Sequence, residues 1–381
     1  MNETINFKML MLRWTRRMSV NPRLDWVFLG LIALTFCFGL VVLYSAANPH
    51  GVNQQVLDPV IKQSLRFLLG LVVLLVIARV PIQYLRAWSP WLYALSLALL
   101  LAVTAFGEGK GAHRWLDLGV LRFQPSEIMK LGLPMMLAWY LHGRPLPPNF
   151  RDLLVCGVLI AVPFFLVAEQ PDLGTALLVA ISGVFVVFLA GVAWRWIFGL
   201  SAVAIAGLPV LWHFMHEYQR NRVRVLFDPE ADPLGTGWNI IQSKIAVGSG
   251  GLTGKGWLNG TQSGLDFLPE HHTDFIGAVL AEEFGFIGVA LLLLVYLAII
   301  ARGLKIAADA RENFSRLLAG SIAMTFFVYV IVNGGMISGL LPVVGVPLPL
   351  ISFGGTALVT MMASFGILMA IHANRRSYRR H

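Results

Sequence analysis

The chain has 381 residues, of which 57% are hydrophobic and 13% charged, where an ordinary soluble domain is about 25% charged. That leaves too little polar surface to cover the two or three soluble domains its length would allow, and it excludes a disordered chain. Two cysteines exclude a disulfide scaffold, and the net charge of +9 is read as the basic loops of a membrane protein rather than as a nucleic-acid footprint.

A bilayer span needs about 20 mostly apolar residues, and ten segments qualify. The first, Asp25–Ser45, follows a leader, Met1–Leu24, that carries Lys8, Arg13, Arg16, Arg17 and Arg23. This leader is too long for a cleavable signal, and the apolar run behind it exceeds the roughly 7–15 residues of a signal core. It is expected to lie partly along the membrane surface as an amphipathic helix. Next come Lys62–Ala78, Trp88–Phe106, Glu127–His142, Leu153–Val167, Leu173–Ala190 and Trp194–Met215. A long loop, 216–273, precedes Asp274–Ala301, Phe314–Gly339 and Phe353–His372, and a basic tail, 373–381, ends the chain. The fourth and fifth spans are short and the eighth is long, which predicts tilt in the bundle. The expected fold is an all-α polytopic membrane protein, a single domain whose large extracytoplasmic loop joins helices seven and eight. Cys37 and Cys156 lie in apolar runs, as membrane-buried residues without a second ligand at metal spacing.

Basic residues set the orientation. With the N-terminus inside and the spans alternating, every inner segment is basic. Beyond the leader these segments hold Arg79 and Arg86, Arg144 and Arg151, Arg195, then Arg302, Lys305, Arg311 and Arg316, and finally Arg375, Arg376, Arg379 and Arg380. Both termini are therefore expected in the cytoplasm. The outer basic residues gather around 107–130 and 216–272, which suggests that something anionic is handled on the outer side. The long loop is not polar filler. Apolar residues recur between its charges, so parts of it are expected to re-enter or lie on the bilayer face. The chain shows no internal repeat.

Charges at membrane depth are functional candidates, and three places qualify. In Q-P-S-E-I-M-K, Glu127 and Lys130 share a helix face at i,i+3, either as a functional ion pair or as an interfacial anchor. The preceding G-A-H-R-W-L-D-L-G has the look of a tight turn around Trp115, and a tryptophan at an interface says little alone. In A-E-Q-P-D-L-G-T, Glu169 and Asp172 read as solvated residues of a short link. In L-D-F-L-P-E-H-H-T-D-F-I-G, Asp274 opens a span at the outer mouth of the membrane. It reads as a helix cap, as a metal ligand with Glu270, His271 and His272, or as a general base at a cavity edge. Spacing does not choose among these, although the H-E-x-x-H spacing of a zinc hydrolase is absent. No nucleotide-binding motif and no nucleophile elbow occurs.

Several long runs resemble the SEDS family of bacterial shape, elongation, division and sporulation proteins. They include G-W-N-I-I-Q-S-K-I-A-V-G-S-G-G-L-T-G-K-G-W, F-L-P-E-H-H-T-D-F-I-G-A-V-L-A-E-E-F-G and G-V-P-L-P-L-I-S-F-G-G-T. The G-A-H-R-W and F-Q-P-S-E-I-M-K segments match as well, so the likeness runs in order over 111–356. The stretch W-L-N-G-T-Q-S-G-L-D-F-L-P-E is closer to the elongation branch than to the division branch.

The resemblance implies a ten-span glycosyltransferase of the bacterial inner membrane that polymerises lipid II, a disaccharide-pentapeptide on undecaprenyl pyrophosphate, into glycan strands. It implies a class B penicillin-binding protein as the transpeptidase partner, beside other membrane proteins of the elongation complex, and no nucleic acid. The family's critical aspartate falls on Asp274, its P-S-E-x-x-K pair on Glu127 and Lys130, its tryptophan on Trp115 and its Y-Q-R-x-R arginines on Arg220 and Arg222. Gln242 and Glu270, in the matching runs, complete the substrate-binding set. One departure is Gly277, where the family usually carries a bulkier residue. No cofactor is expected, because the activated bond arrives with the substrate, and a divalent cation stays unassigned. A lipid II flippase and a scaffold that only activates its partner are the rival readings. The flippase is disfavoured because the charges gather at the outer face rather than the midplane and no inverted repeat is visible.

Overall fold

The computed structural model describes residues 24–48, 57–106, 114–117, 122–215, 217–232, 235–265, 267 and 272–377. Ten long helices stand on the ten predicted spans. They are α1 (Trp26–Ala46), α2 (Leu57–Ala78), α3 (Ile82–Phe106), α4 (Pro125–His142), α5 (Phe150–Glu169), α6 (Leu173–Leu189), α7 (Trp194–Phe214), α11 (Ile276–Ala308), α12 (Asn313–Ile337) and α13 (Thr356–Ser377). Among the described residues, seven helices are long and apolar enough by themselves to cross a bilayer. Pro125–His142 carries Glu127 and Lys130 in its first turns, and Leu173–Leu189 is a shorter apolar helix.

Several boundaries extend past the predicted ones. α2 and α3 begin at Leu57 and Ile82 rather than Lys62 and Trp88, because the backbone ladder tolerates charged side chains in a first turn at the membrane edge. The loop 216–273 is not a loop throughout. It contains α8 (Glu217–Phe227), a 3-10 turn (Pro229–Ala231), α9 (Thr236–Ser249) and the one-turn α10 (Thr261–Gly264). The fold is all-α as expected, with one minor addition: Leu116–Asp117 and Arg122–Phe123 form a two-stranded antiparallel pair, β1 and β2. The leader, apart from Leu24, lies outside the described residues.

The long eighth span is where expectation and structure differ most. α11 does not simply tilt. It breaks at Gly285, whose φ of 64° and ψ of −163° lie in a region essentially reserved for glycine.

Within the bundle α12 is central and packs against α11, α6 and α4, while α13 packs against α2 and α1 against α11. Among the seven helices apolar enough to cross a bilayer, α12 and α13 are the most enclosed by protein and α2 the least. One end of the bundle is tied by charge. Asp25 caps α1 by accepting from Phe28 N at 3.2 Å and takes Arg302 Nε at 2.6 Å. Nearby helix ends are joined by Arg86 with Glu312 and by Arg144 with Asp152. Asp274 lies at the opposite end of α11 from Arg302, so the tied end and the candidate site face away from each other.

Candidate active site

Glu127 and Lys130 form the expected pair. Lys130 Nζ donates to Glu127 Oε1 at 2.7 Å and to the Tyr329 hydroxyl at 2.6 Å. The side chains are only 8% and 6% exposed, so the pair is an internal one rather than an interfacial anchor. A buried lysine left alone would carry a large desolvation cost, which the carboxylate and the hydroxyl offset together. The pair heads a cleft lined further along by Thr325, Thr360 and Ser364, and by the apolar Ile322, Phe326 and Phe365. Such a lining suits a molecule with a polar head and an apolar tail.

Four residues beyond Tyr329, one turn along α12, Asn333 holds the other half of the site. Its amide donates to the Asp274 carbonyl at 2.9 Å and to the Val346 carbonyl at 2.7 Å. Asp274 is half-buried in the turn ahead of α11. The capping position belongs to Phe275, which makes no side-chain capping bond. A Cβ added to Gly345, where φ is +72°, would stand 3.5 Å from Asp274 Oδ2. That is an ordinary contact, so it is the left-handed backbone that calls for a glycine beside the carboxylate.

The Gly345–Thr356 run passes through the bundle as irregular backbone before α13 begins. Non-helical backbone at membrane depth needs internal partners, and side chains supply them. Gln63 donates to Ser352 O at 3.0 Å and accepts from Gly354 N at 3.3 Å. The Tyr296 hydroxyl donates to Pro349 O at 2.6 Å, and Ser352 Oγ accepts from Leu348 N at 2.7 Å. Arg66 stacks over Phe353 at 4.4 Å. On another side of the site, Asp172 is buried rather than solvated. It caps α6 by accepting from Thr175 N at 3.2 Å and takes Gln124 Nε2 at 3.1 Å, directly ahead of α4. Arg114 braces the same link through the carbonyls of Gln170 and Pro171. Trp115, half-buried, sits between that arginine and β1.

Among the described residues, Arg220, Arg222 and Gln242 are not part of this cleft's lining. Arg220 donates to the carbonyls of Trp212 at 3.0 Å and His213 at 2.6 Å, where it closes the end of α7, and it pairs with Glu217 at 3.5 Å. Arg222 lies on the same helix α8, two positions on, a spacing that points the two side chains to different sides of the helix. Gln242 is buried on α9, a helix anchored to the end of α12 by Ser243, which donates to Ile337 O at 2.8 Å. Glu270 and His271 lie outside the described residues.

Sequence reasoning missed a second acid–amine cluster. Glu282, fully buried on α11, accepts from Lys255 Nζ at 2.7 Å, from Thr261 N at 2.9 Å and Oγ1 at 2.8 Å, and from Gln262 N at 3.2 Å. Its neighbour Glu283 accepts from the Ser45 hydroxyl. The available signal was two adjacent carboxylates inside an apolar run. Tyr329 and Asn333 carried less of a signal, since a tyrosine or asparagine in a span announces no partner.

A family model described as "Cell cycle protein", covering FtsW, RodA and SpoVE, matches residues 25–377. The peptidoglycan glycosyltransferase MrdB of Escherichia coli K12 is 52% identical over 353 residues, which is 92% of this chain and 93% of that protein. A probable peptidoglycan glycosyltransferase FtsW of Geobacter sp. strain M18 is 35% identical, over 92% and 97% of the two chains. Among solved structures, a chain from a study titled "Structural coordination of polymerization and crosslinking by a peptidoglycan synthase complex" superposes with a TM-score of 0.80 at 33% identity, covering 93% of this chain and 99% of that one. The rod shape determining protein RodA of Thermus thermophilus superposes with a TM-score of 0.69 at 31% identity, over 93% and 98% of the chains.

Proposed function

This chain belongs to the FtsW, RodA and SpoVE family of cell cycle proteins, and from that premise we propose that it builds glycan strands from lipid II with Asp274 as general base. It is a multi-pass membrane protein and a peptidoglycan glycosyltransferase. In the proposed step, a hydroxyl of the acceptor sugar loses its proton to the Asp274 carboxylate as its oxygen attacks the anomeric carbon of the donor. The bond from that carbon to the diphosphate breaks, and the lipid diphosphate departs with the electron pair. No nucleotide is consumed.

The observation that carries this reading is the setting of Asp274. Its backbone is pinned by Asn333, its carboxylate is flanked by a glycine, and one turn along α12 Tyr329 holds Lys130 in the head of an amphipathic cleft. A general base needs a fixed position at the edge of a cavity, and the Asn333 bond supplies the fixed position. Glu127 and Lys130 shape the cleft as a mutually neutralised pair. Arg220 and Arg222 supply positive charge near the leaving diphosphate from separate sides of α8, with Trp115, Gln242 and Glu270 as further substrate contacts. We place the protein in the bacterial inner membrane with both termini cytoplasmic, acting in rod-shape elongation beside a class B penicillin-binding protein.

The test is polymerisation of lipid II by purified protein in detergent, where transport has no meaning. Asp274→Asn keeps the size of the side chain but cannot take the proton, and it should abolish polymer while leaving folding intact. Asp274→Glu should restore little, because misplacement by about an ångström can cost ~100-fold. Near-normal polymerisation by Asp274→Asn would place the base elsewhere.

A further inference from the structure

The break at Gly285 is filled by another part of the chain. In a continuous helix, Phe286 N would donate to Glu282 O and Ile287 N to Glu283 O. Here those two N–H groups donate instead to Gly251 O at 2.9 Å and Leu252 O at 3.1 Å. The two released carbonyls, Glu282 O and Glu283 O, accept from Lys255 N and Gly256 N, each at 3.0 Å. Loop 250–256 therefore stands in for two rungs of the ladder, on both the donor and the acceptor side. Glycine is required at the contact, since a Cβ on Gly254 would lie 2.1 Å from Glu283 O.

The consequence is a short helical piece, 276–284, cut off from the rest of α11. A piece this short has little helical stability of its own, so its placement depends on its buried packing and on what grips its two ends. At one end Asn333 holds Asp274, and the fit of Gly277 against Ile337 is close. At the other end lies the cluster of Lys255, Thr261 and Gln262 on the Glu282 carboxylate. Eight residues separate Asp274 from Glu282, about 12 Å of helix rise.

We infer that Glu282 and Lys255 are positioning residues that set the placement of Asp274 through the 276–284 segment. They touch no substrate in this role. The inference rests on the reading of Asp274 as the base. With the salt bridge intact, loop 250–256 stays inserted in the break and the segment has one seat. Without it, the loop keeps the four backbone bonds at the break and the neighbouring Trp257 bond to Val41 O but loses its charged contact with the segment, and the segment gains freedom along its axis.

The experiment uses the full-length protein in detergent, with Cys37 and Cys156 replaced by alanine, and asks for both turnover and position. Glu282→Gln and Lys255→Met should each lower kcat for lipid II polymerisation by about tenfold or more while the apparent KM stays within about twofold. Lys255→Arg, which keeps the charge, should remain within about threefold of wild type in kcat. Position is read independently from the rate at which a water-soluble maleimide labels Thr273→Cys. That rate should change by about threefold or more with Glu282→Gln and Lys255→Met and not with Lys255→Arg. Lys255 is partly exposed, so its two variants decide the matter if Glu282→Gln does not fold. An unchanged kcat in Lys255→Met, or a labelling rate equal to wild type in Lys255→Met, would overturn the inference. An active Asp274→Asn would remove the premise about the base, and the labelling rate alone would then decide whether the pair positions the segment.

Discussion

Two buried acid–amine pairs divide the work of this molecule differently. Glu127 and Lys130 come from one helix, three residues apart, and both are buried. Lys255 and Glu282 are 27 residues apart, one in a loop and one in a broken helix, with the lysine 27% exposed and the glutamate fully buried. Helical periodicity alone brings the first pair together, so it belongs to a fixed wall of the cleft. The second exists only where a loop enters a helix break, so it can hold or release the segment that follows Asp274. One kind of chemical contact thus gives a rigid surface in one region and an adjustable joint in the other.

The sharpest way to break that contrast is to remove one partner of the local pair. Lys130→Ala leaves Glu127 buried beside Tyr329 and should cost about 3–5 kcal/mol of stability, seen as a large fall in Tm. The double variant Glu127→Gln with Lys130→Met should lose less than the two single losses added together. Additive losses would mean that the two side chains do not act as a pair.

A smaller effect is expected at the joint. Gly254→Ala adds a Cβ against Glu283 O at a φ of +79°, a strain of about 1–3 kcal/mol. Its loss of polymerisation rate should exceed what the change in Tm accounts for, because the strain falls where the 276–284 segment is held. Equal losses from Gly254→Ala and from a surface substitution of the same Tm effect would make the joint merely structural.

The smallest effect in stability concerns Arg220, which closes the end of α7 and meets an exposed Glu217. Arg220→Lys should change stability by less than about 1 kcal/mol, yet raise the apparent KM for lipid II, since lysine lacks the planar fork that grips phosphate oxygens. Unchanged saturation would leave Arg220 as a helix-end brace with no part in binding.

Much of the site near α4 is legible in the residues. Glu127 and Lys130 at i,i+3 in an apolar span announce each other, and Asp274 at the edge of a span announces a carboxylate at the membrane mouth. Asp172 looks solvated in the sequence because its partners, Gln124 and Arg114, come from 48 and 58 residues earlier in the chain. The arginines of α8, two residues apart, read in the sequence as neighbouring cations of one substrate-binding set. Once that stretch is a helix, the same spacing turns them away from each other.

The sequence by itself determined the ten spans and the local pair. Hydrophobic content over about 20 residues and a repeat of 3.6 are properties of contiguous chain, and the lipid environment forces each such stretch to satisfy its own backbone as a helix. Only the tertiary structure decided that α11 is broken, that loop 250–256 takes the place of two of its rungs, and that Asn333 pins Asp274. Those contacts join residues between 27 and 59 positions apart. A glycine with an unusual φ, or an asparagine inside a span, gains meaning only when the partner that needs it has been folded against it.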